Sequence, residues 1–145
     1  MKTQTFNLER FIEKHLTDYP GALNEIKNGR KIEHWMWYIF PQLRGLGSSH
    51  NSVLYGIEGI EEARAYLADP ILESHLFTIS HALLELNNKS VTEIFDCCDV
   101  KKLRSCMTLF AITDPDNEVY QAVLDKYFKG QLDDKTIRLL NLNVV

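Results

Sequence analysis

A chain of 145 residues with 45% hydrophobic and 25% charged side chains has the make-up of one globular domain, expected to span 1–145, and this excludes a disordered or low-complexity polypeptide. The net charge of −4 and pI of about 5.7 argue against general binding to nucleic acid or to an anionic membrane. No run of about 18 apolar residues could span a bilayer, and Met1 to Asn7 lack the apolar core of a secretory signal, so a cytoplasmic location is expected.

In chain order, Asn7 is placed to cap a short amphipathic helix carrying Leu8, Phe11, Ile12 and His15. Tyr19-Pro20-Gly21 is predicted to break the chain, and a second helix from Ala22 to Asn28 closes at Gly29. The stretch His34 to Gln42 then packs both tryptophans, a histidine, a tyrosine and a phenylalanine into consecutive positions. As a helix it would set Trp35 and Trp37 about 200° apart, and as a strand it would set Trp35, Trp37 and Ile39 on one face. Either way it is apolar nearly all round, so the rest of the protein must wrap it.

Gly45 to Ser49 reads as a loop, 51–57 stays unassigned, and a helix is predicted from Ile60 to Ala68 with Ala63, Tyr66 and Leu67. Asp69-Pro70 pairs an N-cap with a proline at the first helical position, and Leu72, Leu76, Ile79, Leu83 and Leu86 follow at helical steps. Ser90 to Glu93 fits a capping box, and Asp99 is predicted to cap a helix through Ile112. Asp114-Pro115 should open another, bearing Val119, Val123, Leu124, Tyr127 and Phe128 and closing at Lys129-Gly130. A last turn or two from Lys135 to Leu142 ends the chain. No alternating run is long enough to pair into a sheet, so the predicted fold is all-α, with about seven or eight helices around the aromatic segment.

Several segments together resemble a bacterial family catalogued as domain of unknown function 1810. They are Gly29-Arg30-Lys31 with the run from His34 to Leu43 and Gly45-Leu46-Gly47, then Glu62 to Leu67 with Pro70 and Leu72. Asp99 with Lys102 to Ser105 and Met107 to Phe110 follows, and then Val123 to Phe128 with Gly130. The resemblance runs from about Phe6 to Leu140 and implies a compact, mostly helical domain with no established activity. Members sometimes carry the label calpastatin. A calpastatin-like inhibitor resembles a long, disordered, proline- and charge-rich chain, whereas this one has four prolines and a full core composition.

The candidate chemistry centres on Arg30, Lys31 and His34 at the entrance to the aromatic block, and on the polar stripe Lys101, Arg104, Ser105 and Thr108. If the two regions meet with Trp37 and Gln42, they form a site with guanidinium and hydroxyl donors for phosphate or carboxylate and indoles for stacking. That predicts an anionic or nucleotide-like small-molecule ligand, with His34 as the acid–base group and Asp99 or Asp114 to orient it. Each residue also has a structural reading. His34 is then a hydrogen-bonded core histidine, Arg104 pairs with Asp99, Glu93 or Asp114, Ser105 and Thr108 bond back four residues, and the tryptophans are core anchors.

No dinucleotide, phosphate-loop, nucleophile-elbow or zincin motif is present, so whether the chain is an enzyme stays open at this point. Cys97, Cys98 and Cys106 make no disulfide framework and suit a reducing compartment, and the adjacent pair reads as packing. The histidines lack metal-ligand spacing, and no metal or cofactor is expected. The alternative function is a non-catalytic protein-interaction module that presents an apolar patch to a partner or to a second copy, and the sequence does not choose its assembly state.

Overall fold

Phe11, His15, Tyr19, Ala22 and Ile26 recur at steps of four, four, three and four, and all are buried along one helix, α1, Glu9–Lys27. The break expected at Tyr19-Pro20-Gly21 is absent, because the buried face continues straight through it. A mid-helix proline costs about 3 kcal/mol, but Pro20 is exposed and the carbonyl it leaves unpaired belongs to Leu16, which is 70% exposed and open to water. Burial of the second half of the face outweighs that cost. Nor does Asn7 cap the helix: the N-cap is Leu8, with no side-chain bond, and Gly29 (φ +82°) ends the chain's turn as expected.

The computed structural model describes residues 6–142 and places nine α-helices among them. The aromatic block enters at Trp35 and forms a single turn, α2, Met36–Ile39, while Ser49 caps α3, His50–Leu54, through a bond from the Ser52 N–H at 3.2 Å. Between them Leu43 and Ile57 make one isolated parallel bridge, fixed by Ile57 N–H to Gln42 O (2.9 Å) and Arg44 N–H to Ile57 O (2.7 Å). The crossing is so close that a Cβ on Gly56 would lie 2.6 Å from Ser52 O and 2.8 Å from Arg44 Cα. Because both obstacles are backbone, Gly56→Ala should cost about 1–3 kcal/mol, read as a lower urea midpoint at unchanged m-value.

Helix α4, Ile60–Ala68, has the predicted bounds, and α5, Pro70–Glu85, starts at the predicted cap, where Asp69 accepts from Ile71 N–H (3.0 Å) and Leu72 N–H (3.1 Å). The capping box at Ser90 and Glu93 opens α6, Val91–Ile94. Helix α7, Cys97–Thr113, begins one turn earlier than expected, because Asp96 rather than Asp99 accepts the first-turn amide, the Asp99 N–H at 2.8 Å. Asp114 closes α7 instead of opening the next helix, and α8, Val119–Phe128, starts after a turn in which Asn117 Oδ1 accepts from Val119 N–H. Lys129 takes the left-handed closing position, followed by Gly130 and α9, Asp134–Leu142. Cys97 and Cys98 are exposed rather than packed, since the early start puts them on the outer first turn of α7, and Cys106 is buried.

The fold is all-α. Helices α5 and α7 run through its middle: α5 packs on α1, α4 and α8, and α7 packs on α8, α4, α9, α6 and α2. One contiguous core joins them, with Phe11 edge-on to Tyr66 (centroids 5.1 Å, 84°) and Phe110 tilted between Tyr66 and Tyr120. Among the described residues no helix is long and apolar enough to cross a membrane.

Candidate functional site

Two anchors hold the aromatic block in place. From α1, Glu25 Oε1 accepts from Ile32 N–H (2.7 Å), Glu33 N–H (3.1 Å) and the Trp35 indole (2.9 Å). Partial burial opposes ionisation of Glu25, but these donors and the nearby Lys31 charge outweigh it and hold its pKa below the ordinary carboxylate value. From α7, Asp99 binds Lys31 Nζ at 2.9 Å and Lys102 Nζ at 3.2 Å, and each ammonium lies over an indole, Lys31 over Trp35 (5.2 Å) and Lys102 over Trp37 (4.4 Å). One carboxylate thus ties two cations and two tryptophans together.

The predicted site residues fall into two groups. Arg30, Lys31 and His34 come together on a cleft of about 460 Å³, whose other wall is the 89–99 segment with Lys89, Thr92, Glu93, Asp96 and Asp99. His34 is exposed and also borders a second cleft of about 320 Å³ with Asp18, Glu25 and Glu33, so it stands on the ridge between a hollow of mixed charge and an acidic one. The buried-core reading of His34 does not hold. Asp99 is committed to the two lysines and Asp114 lies at the far end of α7, so neither orients the imidazole.

Arg104, Ser105 and Thr108 serve another contact. Arg104 donates to the carbonyls of Gln131 (3.1 Å) and Leu132 (2.8 Å), Ser105 Oγ donates to Asp133 (3.3 Å), and Thr108 Oγ1 donates to Arg104 O (2.8 Å) while accepting from Asp133 N–H (2.9 Å). They fasten the 131–136 segment that leads into α9. Arg104 therefore makes none of the expected pairs with Asp99, Glu93 or Asp114. Trp37 is half-buried beneath Lys102, and Gln42 contributes its main-chain carbonyl to Ile57. Among the residues sequence reasoning passed over, Lys102 carried a signal, its spacing of three from Asp99, whereas Lys89 and Glu25 carried none.

A third polar cluster joins α1 to α5. His15 Nε2 lies 2.8 Å from Tyr38 O, and since a carbonyl only accepts, that nitrogen carries the proton. Neutral His15 then accepts at Nδ1 from His75 Nδ1–H at 2.9 Å, and the Tyr19 ring stacks on His75 (centroids 3.7 Å, 3°). Burial pushes the His15 pKa down to about 4, against a raising effect of the Tyr38 carbonyl, and burial also lowers that of His75. With a folded pKa below the unfolded 6.5, the unfolded chain binds more protons between them, so this contribution is complete above about pH 6.5 and lost as pH falls toward 4. Urea midpoints should drop by the equivalent of about 2–3 kcal/mol from pH 7 to 4.5, with a smaller drop in His15→Phe. Equal pH dependence of the two proteins would remove the histidine pair as its cause.

Among the described residues no group of three histidine, cysteine, aspartate or glutamate side chains is placed to hold a metal ion. The model of a family described as protein of unknown function (DUF1810) matches residues 5–140. The crystal structure of the conserved hypothetical protein Rv1873 from Mycobacterium tuberculosis is similar, with 43% identity, a TM-score of 0.92, and coverage of 94% of this chain and 97% of that one. No curated protein matches this chain. A family match over nearly the whole length, and a solved relative of the same helical fold, lead to one conclusion: the chain belongs to the DUF1810 family.

Proposed function

We propose that this protein binds an anionic small molecule, nucleotide-like or phosphorylated, in the cleft between residues 30–34 and 89–99. The observation that carries the reading is that the cleft's three carboxylates are engaged by hydrogen bonds or ion pairs of the protein, while two of its three cations are not. Glu93 accepts from Ser90 N–H, Asp96 caps α7 and Asp99 holds two lysines, whereas Arg30 and Lys89 are exposed and make no ion pair among the described residues. Exposed cations without a direct ion-pair partner are able to contact an anion, and a guanidinium offers it a bidentate fork. His34 at the mouth supplies an imidazole for hydrogen bonding or for acid–base work on the ligand. Trp37, Gln42, Arg104, Ser105 and Thr108 stand outside this proposed site. Exposed free thiols at Cys97 and Cys98 favour a reducing, cytoplasmic setting for the same reading.

The test is a thermal-shift screen against ATP, pyrophosphate and glucose 6-phosphate, run on the native chain, Arg30→Ala/Lys89→Ala and Arg104→Ala. At 100 times its dissociation constant a ligand adds about 2.7 kcal/mol of stability. The shift should vanish in the double variant and persist in Arg104→Ala, which starts from a lower melting point because it loses the 131–132 contacts. No shift with any of the three anions, or the same shift in the double variant, overturns the proposal.

A further inference from the structure

A separate hollow of about 690 Å³ opens between α5 and the turn joining α7 to α8, and it shares no lining residue with the cleft just described. Its apolar lining comes from Phe77, Leu84, Val119 and Ala122, and Asp114, Asp116 and Glu118 supply its carboxylates. These three carboxylates make no ion pair or side-chain hydrogen bond among the described residues, and no lysine or arginine lines the space. Lys126, on the adjoining α8, is committed to the carbonyls of Leu84 and Leu86 at the end of α5. Among the described residues the one base in the lining is His81, which lies 3.8 Å from Glu85 on its own helix.

Two features of this hollow run against what stability alone would select. Asp114 occupies the C-cap of a 17-residue helix whose last turn has no basic residue, so its charge faces the negative end of the macrodipole, an arrangement that costs about 0.3–1 kcal/mol. Phe77 is left 38% exposed on the same hollow, stacked on His81 (centroids 6.0 Å, 20°). Broken local rules concentrate where a surface has a second task. Here they combine into apolar ground edged with unpaired negative charge.

We propose that this hollow docks a basic peptide segment of a protein partner, one with an apolar side chain beside lysine or arginine. The apolar side chain covers Phe77, Leu84 and Val119, and its cationic neighbours meet Asp114, Asp116 and Glu118. Charge complementarity excludes acidic partners and phosphate from the same surface. The proposal stands independently of the anion cleft, and failure of one leaves the other unaffected.

The experiment titrates the ¹⁵N-labelled protein with a capped peptide of alternating leucine and lysine, its leucine–glutamate counterpart, and spermine. The lysine peptide should move the amides of 77–84 and 114–122 along one saturable isotherm, and the glutamate peptide should not. Asp114→Asn/Asp116→Asn/Glu118→Gln and, separately, Phe77→Ser should each raise the Kd about ten-fold, since both the charge and the apolar ground are needed. These side chains are exposed or half-buried, so the variants fold. Shifts scattered over other surfaces, or an unchanged Kd in the triple variant, overturn the proposal. Spermine binding as tightly as the peptide, with Phe77→Ser without effect, would make the hollow a polyamine site and overturn it equally.

Discussion

Asp99→Ala should lower the unfolding free energy by about 3–5 kcal/mol, the usual cost of deleting one partner from a buried ion pair, and depress the melting temperature by roughly 10 °C. The side chains of Asp99 and Lys31 are 9% and 8% exposed, so little water is available to replace the lost carboxylate. Removing it leaves the Lys31 and Lys102 ammonium groups facing each other against the indoles. Lys102 can swing outward, because its side chain is the more exposed of the two, whereas the Lys31 side chain is buried against Trp35. Lys31→Met with Asp99→Leu should recover most of the loss, since an apolar pair of similar volume avoids the desolvation cost. Chemical denaturation of the two variants beside the native chain checks this, and a loss under 1 kcal/mol in Asp99→Ala would show that α7 holds the aromatic block by apolar contact alone.

Glu62→Ala should cost a comparable amount, about 3 kcal/mol, through the contact of α1 with α4. Glu62 is 2% exposed, receives Arg10 Nη2 at 2.8 Å, and accepts Glu58 N–H at 2.8 Å just before α4. Its loss therefore strands a guanidinium and a backbone donor together. Arg10 keeps its bonds to Leu54 O (2.7 Å) and Gly56 O (3.0 Å) and its place over the Phe11 ring, which sets the effect at the lower end of the range. Glu62→Gln should fall between Glu62→Ala and the native chain, because Arg10 and the Glu58 N–H bind different carboxylate oxygens and the single amide oxygen still accepts from one of them. Equal losses in the two variants would mean that shape rather than hydrogen bonding sustains the contact.

These two residues show where sequence reading stops. Helix ends that depend on neighbours in the chain were legible: Asp69 before Pro70, the Ser90–Glu93 box and the Lys129-Gly130 stop all lie where local hydrogen bonding puts them. The structure departs from these local signals where two of them compete. Asp96 and Asp99 are both capable caps, and Asp96 prevails because Asp99 is drawn to Lys31 and Lys102 across the fold. Pro20 is a genuine breaker by its chemistry, yet the buried stripe from Phe11 to Ile26 carries the helix past it.

The candidate site was half visible for the same reason. Arg30, Lys31 and His34 are near neighbours in sequence, and they share a cleft. Arg104, Ser105 and Thr108 form a polar stripe that looks equally suited to a ligand, but its actual partner is the chain's own 131–136 segment, more than twenty residues away. A stripe of donors states its chemistry without stating whether a carbonyl of the same protein has already claimed it.

By itself the sequence determined that this protein is helical, that most of its tryptophan-rich segment is buried, and that it belongs with a recognisable family, because periodicity, caps and composition act over a few residues at a time; that α5 and α7, rather than that segment, run through the middle was a matter of tertiary packing. Only the tertiary structure decided which charges are neutralised and which stay free. Ion pairing and burial depend on distances between segments far apart along the chain, such as Lys31 and Asp99 or Arg10 and Glu62. The unpaired cations at Arg30 and Lys89, and the unpaired carboxylates from Asp114 to Glu118, are what that pairing leaves over.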